Sequence, residues 1–175
     1  DVKRDGVYQV QLPNGESGWI SSSGVIELGV NENTDVVGVR YFVSSALTMV
    51  NATYLEGGLT KRGISIQGLT YVAACVNGIP IPRELKDQIS CGEEVTLEYD
   101  AVTGDLLIES IIPGDIVFLA DPYNPTSKVP YEAAICTDTG VLLMRASTGT
   151  SIKLCKFNAD SDLVKRIITV RRIFS

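Results

Sequence analysis

The residue types that carry most enzymatic chemistry are sparse in this 175-residue chain, which contains no histidine. The absence of histidine excludes Ser-His-Asp and Cys-His nucleophile systems built by this chain alone, and histidine-ligated metals with them. The four cysteines are Cys75, Cys91, Cys136 and Cys155. They form no C-x-x-C pair, so the usual zinc patterns are absent. Buried free thiols are the favoured interpretation, and disulfides in an exported protein are the alternative.

Paired carboxylates are the remaining candidates for general acid–base chemistry. They occur at Glu93–Glu94, at Asp100 with Asp105, and at Asp160 with Asp162. Adjacent residues on a strand face opposite sides, and aspartates beside turns usually bind the backbone there. The sequence therefore predicts no catalytic residue, no metal site and no cofactor, and a protein that is not an enzyme.

A basic segment near the C-terminus is the candidate interaction surface. Two doublets, Lys165–Arg166 and Arg171–Arg172, flank the apolar residues Ile168 and Val170. Such charges either keep a half-exposed strand solvated or contact an acidic partner. The net charge of −6 argues against a general nucleic-acid binder, so protein partners are expected and nucleic acid is not.

Short apolar or alternating runs, separated by Gly, Asn, Asp and Pro, predict about twelve strands and a mainly β fold, a β-sandwich or β-barrel. Residues 44–56 are ambiguous and are assigned weakly to a strand, whereas 83–89 is the clearest helical turn. At most one or two short helices are expected. The other strands are predicted at 7–12, 18–21, 25–30, 36–43, 64–76, 94–99, 106–112, 116–120, 133–137, 141–146, 152–157 and 167–174.

The chain is expected to form one β-rich domain over residues 1–175. The alternative is two β modules, 1–76 and 90–175, joined by 77–89. No apolar run is long enough for a membrane span. The chain starts at Asp1 rather than Met, as expected if a leader was removed or if a disordered segment precedes it.

Two turn-to-strand stretches bear on the family. Gly92-Glu93-Glu94-Val95 and Gly114-Asp115-Ile116-Val117 each place a glycine and an acidic residue before a strand. Over residues 89–174 this pattern resembles the small β-barrel head-decoration proteins of tailed bacteriophages. The resemblance implies a non-enzymatic structural subunit that decorates and stabilises a capsid at the virion surface. Its partners would be protein subunits of a homo- or hetero-oligomeric assembly.

Two other functions stay open at this point. An exported β-sandwich subunit of an extracellular filament or surface matrix could use its terminal segments, 1–12 and 163–174, to pair with neighbouring subunits. A small-ligand or carbohydrate-binding β module could use Trp19 with Tyr8, or Tyr123, as an aromatic platform, although Trp19 and Tyr8 are expected in the core. Either function would place the protein outside the cell or at its surface.

Overall fold

The computed structural model describes residues 3–4, 6–11, 15–24, 34–146 and 149–174. By its internal contacts the chain divides into two units, Asp1–Glu32 and Asn33–Ser175. The segment 77–89, the linker of the two-module alternative, lies inside the second unit. Within the described residues, no helix has both the length and the apolar character needed to cross a membrane.

The described part of the first unit contains three short antiparallel strands in the order β1-β2-β3. They are β1 Lys3–Arg4, β2 Val7–Gln11 and β3 Ser17–Ser21, followed by a 3-10 turn at Ser22–Gly24. Gln9 pairs with Trp19, so the indole lies on the same face as a polar side chain. Trp19 is 53% exposed, and its predicted place in the core is wrong. The strand predicted at 25–30 lies outside the described residues.

The second unit is built around a six-stranded antiparallel sheet. Its strand order is β10-β9-β8-β7-β11-β6, and a two-stranded hairpin, β4-β5, lies apart from it. The elements in chain order are α1 Thr34–Leu47, β4 Leu59–Thr60, β5 Gly63–Ile64, α2 Ile66–Cys75, α3 Leu85–Gln88, β6 Glu93–Glu94, β7 Ile116–Leu119, β8 Glu132–Asp138, β9 Val141–Arg145, β10 Ile152–Lys156 and β11 Ile167–Arg172. Single 3-10 turns lie at Ile108–Ser110 and Val164–Arg166.

The core forms where α1 and α2 pack on the central strands. Phe42 of α1 and Leu69 of α2 are fully buried against a cluster that includes Phe118 of β7 and Ile135 of β8. All four residues of β7 are buried, as expected for a central strand covered on both faces. This packing fixes the first turn of α2 relative to the ends of β8 and β9.

The mainly β prediction is confirmed, but several of the predicted strands are wrong. Residues 36–43 and 64–76 fall largely in α1 and α2, and 106–112 contains a 3-10 turn. Residues 44–56 begin as the end of α1 rather than as a strand. The β-branched residues of these segments favour strands only weakly, and burial of a helical face on the sheet outweighs that preference. The helical turn predicted at 83–89 is confirmed by α3.

Candidate functional site

The N-terminus of α2 is fixed by a buried serine cap. Ser65 is fully buried, and its hydroxyl oxygen accepts a hydrogen bond from the backbone N–H of Gly68 at 3.1 Å. The backbone N–H of Ser65 donates to the carbonyl oxygen of Gly58 at 3.1 Å. A Cβ on Gly68 would lie 2.2 Å from that same carbonyl oxygen, so the backbones approach too closely for any larger residue. The helix start is therefore held rigidly against the segment before β4.

A pocket of about 260 Å³ opens beside this helix start. Its apolar side comes from Ile66, the first residue of α2, and from Leu85 of α3. The other described residues that line it are polar or aromatic: Tyr54, Glu56, Gln67, Tyr131, Glu132 and Arg145. Apolar walls with a few convergent polar groups are the usual composition of a ligand site.

Glu132 is the most buried ionisable side chain of the pocket. It begins β8, its side chain is 10% exposed, and it lies between two arginines. The Nε of Arg145 is 3.5 Å from Glu132 Oε1, and an Nη of Arg166 is 3.5 Å from Glu132 Oε2. Burial raises the pKa of Glu132 above its ordinary value of 4.5, and the two guanidiniums oppose that rise.

One oxygen of this carboxylate has no hydrogen-bond donor. Glu132 Oε1 is buried and accepts no hydrogen bond, because its contact with Arg145 is too long and poorly directed to count as one. Buried acceptors are satisfied in most proteins, and a charged one left without a donor is costly. Glu132 Oε1 therefore keeps an unused acceptor position beside the pocket, although almost none of its own surface is exposed.

Arg145 is held in place by aromatic rings. Its guanidinium carbon lies 4.8 Å from the ring centre of Tyr54 and 5.7 Å from that of Tyr131, both within the range of cation–π contacts. A side-chain hydrogen bond with Tyr131 raises the pKa of Arg145, with a further contribution from the charge of Glu132. The pocket therefore contains a permanently charged, oriented guanidinium.

Three other residues of the lining form a hydrogen-bonded chain. The Tyr54 hydroxyl donates to Glu56 Oε2, and the Gln67 side-chain amide donates to Glu56 Oε1 at 2.7 Å. Burial, followed by the hydrogen bond to Glu56, raises the pKa of Tyr54 to about 12. Tyr54 thus stays protonated at neutral pH and connects the stacked Arg145 with the carboxylate of Glu56.

The predicted basic surface is largely engaged inside the unit. Arg166 donates to the carbonyl oxygen of Ala120 at 2.9 Å as well as contacting Glu132. Arg172 makes two 2.8 Å contacts with the buried Asp115, and Arg171 lies 3.7 Å from Glu94. Val170 is fully buried, Ile168 is half-buried, and the exposed Lys165 pairs with Asp162. Among the candidate interface residues, Arg166 forms an ion pair with a residue of the pocket described above, Glu132.

Metal ligands and reactive thiols do not converge in the described part of the chain. No group of three or more Cys, Asp or Glu side chains there could hold a metal ion. The four cysteines are free, and none of the described residues lining the pocket is a cysteine. Among the predicted carboxylate pairs, Asp100 accepts two backbone N–H groups of its own turn, which lower its pKa. The groups in the pocket that can exchange a proton are therefore carboxyl and phenol groups.

Sequence reasoning missed Glu132 and Arg145, although both carried a signal. Each lies at the end of an otherwise apolar strand, and a charged residue beside a buried run needs a partner. Their separation from each other and from Arg166 along the chain hides the cluster until the strands are paired. Leu119 lies opposite Glu132 where β7 pairs with β8. The next residue, Ala120, accepts a hydrogen bond from Arg166, so this pairing brings Arg166 close to Glu132.

Known proteins share both sequence and fold with this chain. It is 25% identical over 174 residues to the gamma-D-glutamyl-L-lysine dipeptidyl-peptidase of Bacillus subtilis (strain 168), covering 99% of this chain and 52% of the relative. An NlpC/P60 family protein from Bacillus cereus ATCC 10987 superposes with a TM-score of 0.70 at 19% identity, over 99% of this chain and 53% of that protein. No family model matches the sequence.

Two further structures agree with this fold. NlpC1 from Trichomonas vaginalis gives a TM-score of 0.64 at 21% identity, over all of this chain and 57% of its own. The peptidoglycan hydrolase RipB from Mycobacterium tuberculosis gives 0.59 at 17% identity, over 87% of this chain and 76% of its own. The chain spans about half the length of the curated relative that it matches.

These likenesses overturn the functional predictions from sequence. The fold is shared with NlpC/P60 proteins and peptidoglycan hydrolases, so the resemblance to bacteriophage head-decoration proteins over residues 89–174 is wrong. The predicted capsid subunit at the virion surface, and the prediction that the protein is not an enzyme, are contradicted by the same peptidase and hydrolase relatives. Glycine–acid turns before strands are too common among β folds to identify one family.

Proposed function

We propose that the pocket between α2, β8 and β9 receives a peptide of the bacterial cell wall. The proposal takes its ligand class from the relatives: one is a gamma-D-glutamyl-L-lysine dipeptidyl-peptidase and another a peptidoglycan hydrolase. The observation that supports it most directly is Glu132 Oε1, which lies at the wall of the pocket on a nine-tenths buried side chain and accepts no hydrogen bond. A peptide N–H group supplies the donor which that oxygen lacks.

The lining suits a short peptide better than a purely apolar or purely charged ligand. Ile66 and Leu85 offer apolar contact to side-chain carbons, whereas Glu132 and Arg145 offer an acceptor and a donor side by side. A peptide group presents the complementary pair, with an N–H for Glu132 and an oxygen for Arg145. The volume of about 260 Å³ lies just below the usual range for small-ligand pockets and suits a short peptide rather than a long chain.

The chemistry available to a bound peptide is set by this lining. A thiol–imidazole peptidase needs a cysteine beside a histidine. Among the proton-exchanging groups of this pocket, the Glu132 carboxyl has a pKa raised by burial, and carboxyl groups with raised pKa values serve as general acids or bases elsewhere. Because such a carboxyl group can act on a bound peptide, both the binding and the cleavage of the peptide should be measured.

A cell-wall ligand also suggests where the protein acts. We propose an extracellular or cell-surface location, because intact cell-wall peptides occur there. Protein partners in a homo- or hetero-oligomeric assembly stay a prediction, and light scattering on the purified chain would test it.

The binding proposal is tested by calorimetric titration with a γ-D-glutamyl-L-lysine peptide. The wild-type chain should bind it, and Glu132→Gln should weaken binding about tenfold, as expected for loss of a charged hydrogen-bond acceptor. Glu109→Gln, a change at an exposed glutamate outside the pocket, is the matched control and should bind like wild type. The same samples, followed by chromatography, report any cleavage of the peptide. Equal binding by wild type and Glu132→Gln would show that this pocket is not the peptide site.

A further inference from the structure

The charges around Glu132 do not balance within its own cluster. One carboxylate is shared between two guanidiniums, Arg145 and Arg166, each 3.5 Å away. Arg166 is turned inwards, since its Nε donates to the carbonyl oxygen of Ala120 and its side chain is only 15% exposed. Arg145 lines the pocket and is 26% exposed. The unbalanced positive charge of the cluster therefore faces the pocket through Arg145.

The second carboxylate of the pocket does not neutralise this charge directly. Both oxygens of Glu56 already accept hydrogen bonds, one from Tyr54 and one from Gln67. Glu56 lies at the hydroxyl end of the Tyr54 ring, whereas Arg145 stacks over the face of that ring. The pocket thus presents a cationic end at Arg145 and an anionic end at Glu56, with an aromatic ring between them.

The orientation of Arg145 suits an anion with two oxygens. Its Nε edge faces Glu132, and its plane is positioned by Tyr54 and Tyr131. A guanidinium has five N–H donors in a fixed planar arrangement that matches the two oxygens of a carboxylate. Because the rings already restrain the side chain, binding an anion costs little further side-chain entropy.

A γ-linked glutamyl residue carries an anion of this kind. When the side-chain carboxyl forms the peptide bond, the α-carboxylate stays free beside the peptide group. We propose that Arg145 recognises this free α-carboxylate, and that the pocket thereby selects γ-glutamyl peptides in their acid form over their α-carboxamide form. The inference rests on the proposed function, since it assigns a specificity residue to the same pocket. The lysine ammonium of the peptide complements Glu56 at the other end.

The test compares two peptides that differ in one group. N-acetyl-γ-D-glutamyl-L-lysine amide has the α-carboxylate as its sole anionic group, and its α-carboxamide analogue has none. Calorimetric titration of the full chain should show the carboxylate peptide binding at least about tenfold more tightly. In Arg145→Gln the two affinities should agree within about twofold. Arg40→Gln, at an exposed position on α1, should keep the wild-type preference.

The outcomes separate this inference from the function on which it rests. Equal affinities of wild type for both peptides would overturn the role of Arg145 while leaving peptide binding intact. If Arg145→Gln still prefers the carboxylate peptide, another cation must cause that preference, and the inference would be overturned as well. Binding of neither peptide would remove the proposed function together with its specificity. If Arg145→Gln fails to fold, Arg145→Lys keeps the charge without the planar donor pair, and the preference should fall to about threefold or less.

Discussion

At the scale of single residues, Glu132 and its two arginines decide what the pocket can do. The buried carboxylate of Glu132, one oxygen of which accepts no hydrogen bond, is tolerated because Arg145 and Arg166 offset part of the cost of removing it from water. From the sequence, the absence of histidine and the scarcity of conventional catalytic pairs could be stated with certainty. The cluster of Glu132, Arg145 and Arg166 could not be predicted, because its three residues lie on separate elements and meet only once the sheet has formed.

The raised pKa of Glu132 predicts a specific dependence of stability on pH. Since the folded protein holds this proton more tightly than the unfolded chain, the contribution of Glu132 to stability is fully present below its ordinary pKa of 4.5. That contribution is lost as the pH rises through the raised, folded-state pKa. Relative to Glu132→Gln, wild type should therefore lose stability over this range, measured by urea unfolding between about pH 4 and pH 8. If the stability of wild type relative to Glu132→Gln stays constant or increases with pH, the raised pKa of Glu132 would be contradicted.

At the scale of elements, the strands were more predictable than the helices. Five of the long strands, β7 to β11, lie where alternation and turn residues predicted them. The segments that became α1 and α2 contain β-branched and aromatic residues, so their local preference conflicts with their final structure. Ser65, whose side chain caps the N-terminus of α2, was the available signal for a helix. The sequence instead predicted a strand over 64–76.

The close approach of α2 to the segment before β4 predicts the effect of one methyl group. Gly68→Ala places a Cβ against the carbonyl oxygen of Gly58, so the helix start must shift. The expected loss of stability is about 1–3 kcal/mol, measured by chemical unfolding. Gly18→Ala is the matched control, because a Cβ there meets nothing within 4 Å. It should change stability by less than about 0.5 kcal/mol. Equal stability of the two variants would show that the contact is not tight.

At the scale of the whole molecule, the C-terminal strand connects distant parts of the second unit. Arg172 of β11 pairs with Asp115, which itself accepts a hydrogen bond from the backbone N–H of Ile112. Sequence reasoning located the basic residues but interpreted them as an external surface, because it could not show which acidic partners they would meet inside the chain. The mainly β class could be predicted from the sequence. The fold shared with NlpC/P60 proteins could be recognised only from the packing of α1 and α2 on the sheet.

This connection predicts unequal effects for two basic residues of the same segment. Arg172→Gln leaves Asp115 buried without its charged partner and should cost about 2–4 kcal/mol of stability, discounted for the partial exposure of the arginine. Lys165→Gln removes an exposed, solvent-screened ion pair and should leave stability nearly unchanged. Thermal unfolding of the two variants gives the comparison. Similar small losses of stability in both variants would indicate that the basic segment is a solvated surface.

The most direct test of the account is to locate the bound peptide on the protein. Uniformly ¹⁵N-labelled chain is titrated with the γ-D-glutamyl-L-lysine peptide while its amide resonances are followed by NMR. We expect progressive, saturable shifts centred on Tyr54–Glu56, on Ile66–Gln67 and around Glu132 and Arg145, which line the pocket. Shifts centred instead on the open groove between Asp138 and Ser161, or no saturable shifts at all, would contradict the assignment of this pocket as the peptide site.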